Sequence, residues 1–362
     1  MTNISWTPTR RQLVKAAGLG ALPLGAAGTA GAAGAAGSAV VEPDDLITRT
    51  VPSTNERLPA IGLGTFMTFD TLTGRGRERA REVVRRHWEA GGRVFDCSPL
   101  YGRSEANLGE IATGLRIDDR LFLAGKIWST GDHLWDDGHA AGSLRRTVRR
   151  MSLDRPVDLM QCHSLVNVDV IVPLLHAWKK EGRIRHLGVT HHEPAYFPLV
   201  QSWVERGRLD FVQVHYSIAT RAAEERLIPA AAANGTAVLV NMPLEKARLH
   251  HVVRGHRVPD FARELGITTW SQYFLKWVIA NPAVTCALPA TSDPAHVAEN
   301  VAAMRGPLPD AATRARMVRH LEESIPGFDQ VTTMPWYPGK SYEGQVSRAQ
   351  AAIRERSPWW PS

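Results

Sequence analysis

Five polar side chains stand at or near the ends of short apolar runs. They are Asp96 after Val94-Phe95, His163 closing Val157–His163, Thr190 closing Ile184–Thr190, Gln213 within Phe211–Tyr216 and Asn241 within Ala237–Met242. Lys126 lies near the end of another such run, Leu121–Ile127. A carboxylate, an imidazole and an ammonium are groups that move protons, and hydroxyls and amides hold polar ligands. Taken singly, each has an ordinary reading. Asp96 reads as a strand-end acid satisfied by backbone, His163 as a core histidine, and Tyr101 as a packing residue. Lys126 is the odd one, because an unpaired ammonium in an apolar strand is costly to bury.

The elements that would position these groups alternate along the chain. Strand-like runs begin at Ile61, Val94, Leu121, Val157, Ile184, Phe211, Ala237 and Val284. Helical stretches follow each later run, over Ser104–Thr113, His139–Met151, Val168–Lys180, Ala195–Arg206, Ala222–Asn234, Thr269–Ala280 and Pro294–Met304, and Arg77–Ala90 follows the first. Several of them stop at glycine, as at Gly91-Gly92, Gly114, Gly182, Gly207 and Asn234-Gly235. Strict alternation with short connections implies parallel strands and right-handed crossovers. Eight such units predict an α/β fold of the (β/α)8 TIM-barrel type, whose C-terminal strand ends carry the active site. A doubly wound sheet would want GxGxxG after its first strand, and Gly62-Leu63-Gly64-Thr65 does not supply it. The expected organisation is a leader over 1–39, a barrel over 40–322 and an irregular tail rich in Trp and Pro over 323–362. The tail reads as a strap packed on the outside, with a lid over the barrel mouth as the other reading.

The chain of 362 residues is 44% hydrophobic and 22% charged, which excludes disorder and collagen-like repeats. Its net charge of +7 includes Arg10, Arg11 and Lys15, unopposed by any acid before residue 40. The remainder is too mild to argue for nucleic acid, and Arg145, Arg146, Arg149 and Arg150 are spaced as one solvated helix face. The three cysteines lie far apart with no zinc spacing, so buried free thiols are expected. His191-His192 and His250-His251 do not make a metal site, since neighbouring histidines on a strand point to opposite faces. No metal is expected. A hydrolase using Asp96 with Glu105 or Glu110 lacks a second acid at a strand end.

From about residue 58 to 305 the chain resembles the aldo-keto reductase family. The resemblance is carried by Arg57-Leu58-Pro59-Ala60-Ile61-Gly62-Leu63-Gly64-Thr65, Phe95-Asp96-Cys97-Ser98-Pro99-Leu100-Tyr101-Gly102 and Leu121-Phe122-Leu123-Ala124-Gly125-Lys126. It continues through Asp158-Leu159-Met160-Gln161-Cys162-His163 and Pro289-Ala290-Thr291 to Glu299-Asn300. It implies a catalytic tetrad of Asp96, Tyr101, Lys126 and His163, and hydride transfer between a nicotinamide cofactor and a small carbonyl or alcohol substrate. In that chemistry Tyr101 donates the proton, Lys126 lowers the phenol's pKa, Asp96 holds Lys126, and His163 orients the carbonyl oxygen. The cofactor positions that it implies are Gly64, Thr65, Thr190, His191, Gln213, Asn241, Pro243, Leu244, Pro289, Thr291, His296, Glu299 and Asn300, with Trp128 at the substrate pocket. NADP is the family's usual cofactor. Ala290 and His296 stand where its NADP users often carry Lys and Arg, and Asn241 replaces a stacking aromatic, so NAD is also possible. The competing reading is a non-catalytic barrel that binds cofactor or a partner.

Residues 9–39 resemble a twin-arginine export signal: Arg10-Arg11, Lys15, a weakly apolar middle and small residues near Ala39. The expectation is passage through the Tat translocase to the periplasm or beyond, with no membrane span after cleavage.

Overall fold

The computed structural model describes residues 46–129 and 136–356. The leader, Trp135, Trp359 and Trp360 lie outside them. Strands β3 (Leu63–Gly64), β4 (Val94–Asp96), β5 (Phe122–Ile127), β6 (Val157–His163), β7 (Ile184–His191), β8 (Phe211–His215), β9 (Ala237–Asn241) and β10 (Val284–Ala287) pair in sequence order, every pair parallel. Parallel bridges Ile61–Ala287 and Gly64–Ala290 join the last strand to the first, with Gly62 N donating to Ala287 O at 2.8 Å. The eight-stranded barrel anticipated from the alternation is therefore present, and it is closed.

The first strand covers only Leu63–Gly64, flanked by the isolated bridge at Ile61, and the chain there passes very close to its neighbours. A Cβ on Gly62 would lie 2.8 Å from Leu288 and 2.9 Å from the Val94 carbonyl. Gly188 plays the same part between β7 and β8, where a Cβ would sit 2.5 Å from the Phe211 carbonyl. Inward residues fill the barrel in layers, as its closure requires. Val94, Phe122, Leu159, Phe211, Leu239 and Leu288 form one buried cluster. An antiparallel hairpin absent from the sequence reading, β1 (Thr48–Thr50) with β2 (Arg57–Pro59), adds Val51 and Leu58 to that cluster. At the same end Asp158 takes Arg155 and Arg185, each at 2.8 Å, and Arg185 also reaches Glu56 of the hairpin turn at 2.7 Å.

Helices Gly74–Glu89, Ser104–Leu115, Gly138–Arg150, Val168–Lys180, Phe197–Arg206, Leu227–Ala233, Trp270–Ile279 and Pro294–Ala302 surround the barrel. Their apolar faces, with the outward strand residues, form the larger core. Thr269 and Gln272 cap the helix at Trp270 reciprocally. Cys97, Cys162 and Cys286 are buried and free, and burial pushes their thiols up, Cys97 to about 12. Among the described residues no helix is long and apolar enough to cross a membrane.

The C-terminal segment departs from the strap reading. Helix Ala311–Ser324, which ends where the expected tail begins, packs outside, where the Tyr273 hydroxyl donates to Met317 O and Arg314 covers Trp277. Beyond it the chain turns over the barrel mouth. Arg248 donates to the carbonyls of Thr332 and Met334, Tyr337 N donates to Lys246 O at 3.0 Å, and Val346 N donates to Asp70 Oδ2 at 2.7 Å. Lys246 follows β9 and Asp70 follows β3, so both anchors are loops of the C-terminal face. The tail is not irregular throughout, since Gln345–Arg356 is helical, as its Ala, Gln and Arg content favours.

Candidate active site

Three barrel strands bring the central groups together. Asp96 ends β4, Lys126 stands in β5, and Gln213 stands in β8. All three point inward and are buried. The Lys126 ammonium donates to Asp96 Oδ1 and, at 3.1 Å, to Cys97 O. Gln213 Nε2 donates to the same Asp96 oxygen at 3.0 Å. Thr65 Oγ1 donates to the Asp96 carbonyl at 2.7 Å and so fixes the backbone behind that carboxylate. The buried ammonium is thus neither unpaired nor free, which offsets part of the cost that made Lys126 unusual in the sequence.

Tyr101 lies on the loop after β4. Its ring meets Phe66 edge-on at 4.9 Å and His163 at 5.9 Å, and the Lys126 ammonium lies 5.3 Å from its centre. Asp96, Tyr101, Lys126 and His163 therefore gather at one end of the barrel. The expected lowering of the phenol's pKa is not found. Burial raises it well above 10, and the Asp96 carboxylate adds to the rise. The reason is burial first, which disfavours the charged phenolate, with the Asp96 charge second.

His163 is held neutral. Burial and the Lys126 charge keep its pKa well below 6.5. Its Nδ1 lies 3.1 Å from Ser98 Oγ, a partner that the sequence reading missed. Ser98 Oγ also accepts from Leu100 N at 3.2 Å, which leaves its proton free for Nδ1. That assignment puts the ring proton on Nε2 as a donor. The signal for Ser98 was its place one residue after Cys97 in the matching Asp96–Gly102 segment. Gln161, one pleat below His163, was also missed. Both of its amide atoms are buried without a hydrogen bond among the described residues.

The remaining positions divide. Thr190 is buried at the end of β7, with His191 stacked on Tyr196 at 4.1 Å. The histidine pair does not point to opposite faces: the rings of His191 and His192 stack at 5.7 Å, because β7 ends at His191. Pro243 and Leu244 carry the chain into the loop after β9, and Trp128 is half-buried two residues beyond Lys126. Gly64 N donates to Pro289 O, holding the first and last strands together. Thr291 Oγ1 accepts from Asp293 N at 3.0 Å, while Ala290 and His296 are exposed. Glu299 is engaged by Ser271 Oγ at 2.8 Å. Glu105 accepts from Thr147 and pairs with Arg150, so it is not a partner for Asp96.

Gln213 Oε1, Asn241 Oδ1 and Asn300 Oδ1 are buried acceptors without a donor among the described residues. A buried acceptor left unpaired is costly, and N–H groups of a ligand would satisfy it. A nicotinamide carboxamide and an adenine amino group both bring such donors, so the residues present fit a dinucleotide.

Comparison with known proteins agrees with this arrangement. The chain is 24% identical to an NADH-specific methylglyoxal reductase of Escherichia coli, over 75% of this chain and 97% of that protein. It is 28% identical to a second methylglyoxal reductase of the same organism, over 70% and 88%. Among solved structures, an aldo/keto reductase from Klebsiella pneumoniae in complex with NADP and acetate superposes with a TM-score of 0.64 at 26% identity, covering 75% of this chain and 95% of that one. The model of the aldo/keto reductase family matches residues 60–316, and the chain belongs to that family.

Proposed function

We propose that this protein is an NAD(P)H-dependent carbonyl reductase, working in reverse as an alcohol dehydrogenase, with Asp96, Tyr101, Lys126 and His163 as its catalytic groups. The observation that carries the reading is the Asp96–Lys126 pair buried beside a protonated phenol and a neutral imidazole. When bound, the reduced nicotinamide supplies a hydride to the carbonyl carbon. The chain's own work is at the oxygen. His163 Nε2–H donates to the carbonyl oxygen and orients it. The Tyr101 hydroxyl gives up its proton as negative charge grows there. Lys126 then lies close enough to stabilise the tyrosinate left behind, and Asp96 with Gln213 keeps that ammonium in place. Gln213, Asn241 and Asn300 offer acceptors to the cofactor's amide and amino groups.

NADP serves as cofactor in this reading, in line with the Klebsiella complex, and a small 2-oxoaldehyde is the substrate to try first, in line with the two Escherichia coli relatives. The test is turnover of methylglyoxal with saturating NADPH across pH. A phenol whose pKa lies above 10 keeps its proton at neutral and mildly alkaline pH, and His163 is already neutral there. Reduction should stay flat from about pH 6 to 9, while alcohol oxidation, which needs the tyrosinate, should rise with pH. A reduction rate that collapses above about pH 8 would contradict the raised phenol.

We also propose export by the twin-arginine route, supported by the order of Arg10-Arg11, Lys15 and the Ala/Gly-rich stretch. Replacing both arginines by lysine should retain the full chain in the cytoplasm in a fractionation experiment. Unchanged export would defeat the proposal.

A further inference from the structure

Between the loop after β10 and the tail lies a cavity of about 410 Å3, lined by Arg79, Thr291, Ser292, His296, Lys340 and Tyr342 among others. Its two permanent cations, Arg79 and Lys340, come from elements far apart in the chain. Arg79 belongs to the helix Gly74–Glu89, and Lys340 belongs to the tail.

The tail presents Lys340 by a recognisable turn. Tyr337-Pro338-Gly339-Lys340 has Pro and Gly at the central positions, Gly339 at φ +69°, and Lys340 N donating to Tyr337 O at 2.9 Å. This is the chemistry of a type II turn. The turn is itself fixed to the barrel through Tyr337 N and Lys246 O.

Arg79 differs from its neighbours in partner. Arg77 faces Glu110, and Arg85 and Arg86 hold Glu82. Arg79 and Lys340 make no ion pair or side-chain hydrogen bond among the described residues. The carboxylate among the lining residues, Asp293, caps the helix at Pro294 through Oδ1, which accepts from Ala295 N at 2.9 Å, and its Oδ2 lies 3.9 Å from His296 Nε2 rather than on Arg79 or Lys340. Two uncommitted cations therefore face a pocket whose wall includes the Thr291 loop, where the chain has Ala290 and exposed His296 in place of fixed cations.

We propose that Arg79 and Lys340 bind the phosphomonoester on the adenosine ribose of NADPH, so that the tail forms part of the cofactor site and sets the preference for NADP over NAD. This rests on the reading of the barrel mouth as a dinucleotide site. Two ammonium or guanidinium groups on a dianionic phosphate supply charge-assisted hydrogen bonds that the 2′-hydroxyl of NADH cannot match.

The test is equilibrium binding to the full chain, followed by tryptophan fluorescence, with NADPH and NADH as the two probes. Both side chains are exposed, so Arg79→Ala and Lys340→Ala should fold normally, and NADH affinity serves as the internal control. Each substitution should weaken NADPH about tenfold, the pair together about a hundredfold, with NADH binding unchanged. The wild-type affinity for NADPH should fall more steeply with salt than that for NADH. If NADPH affinity is unchanged in both variants, or both cofactors weaken equally, the proposed phosphate grip is wrong while the dinucleotide site stands. If the wild type binds neither cofactor, the dinucleotide reading itself fails and the grip fails with it.

Discussion

Tyr101→Phe should abolish most turnover while leaving cofactor affinity within about twofold of wild type. The substitution removes one oxygen and its proton. It keeps the ring that packs against Phe66 at 4.9 Å, so the local structure has no reason to move. General acid catalysis contributes about a hundredfold to ten-thousandfold, and the loss should fall in that range. The loss should appear in kcat, because the proton moves only as charge develops on the substrate oxygen. Measuring kcat for carbonyl reduction beside the NADPH dissociation constant separates the two effects. Full turnover in Tyr101→Phe would remove Tyr101 from the mechanism. A matching loss of cofactor binding would show that the phenol serves structure instead.

Lys126→Met should be costly in two independent ways. The Lys126 side chain is 1% exposed, and its charge is balanced by the Asp96 carboxylate. Removing the ammonium leaves a buried carboxylate with only Gln213 Nε2 beside it, a change of the kind that costs about 3–5 kcal/mol. Turnover should also fall, because the tyrosinate formed during reduction loses the cation beside it. The double variant Asp96→Asn with Lys126→Met separates the contributions. With neither charge present, most of the stability should return, while turnover should not. Thermal melting and single-turnover rates on the two variants decide the matter. Recovery of rate together with stability would mean that the pair acts only as a structural strut.

Much of this architecture was legible from the residues alone, because its causes are local. The glycine stops after Ala90 and Arg206 and the apolar runs between helices mark many of the elements where they occur, whereas the helix expected to stop at Gly114 runs through it to Leu115 and is closed by Arg116 at φ +58°. The gathering of Asp96, Lys126 and His163 follows from their places near strand ends once the strands are parallel. What escaped was decided by contacts distant in sequence. The hairpin strands are only three residues each, too short for alternation to show. The path of the tail over the mouth depends on Arg248, Lys246 and Asp70, residues from other loops that no periodicity in 323–362 reports. The direction of the Tyr101 shift was misread for a related cause. The phenol is enclosed by contacts such as those with Phe66 and His163, from other loops and strands, and that burial sets the direction of its shift.

The sealed state of Cys97, Cys162 and Cys286 bears on what the proposed export would ask of the molecule. A protein that needs a disulfide to hold its fold must mature where oxidants are present, and one with accessible thiols is altered there. This chain escapes both constraints. Its thiols are buried and held in the protonated form, so neither oxidants nor mispairing partners reach them while the barrel stays closed. Its covalent structure would therefore be the same whether it folds and works in a reducing compartment or in an oxidising one.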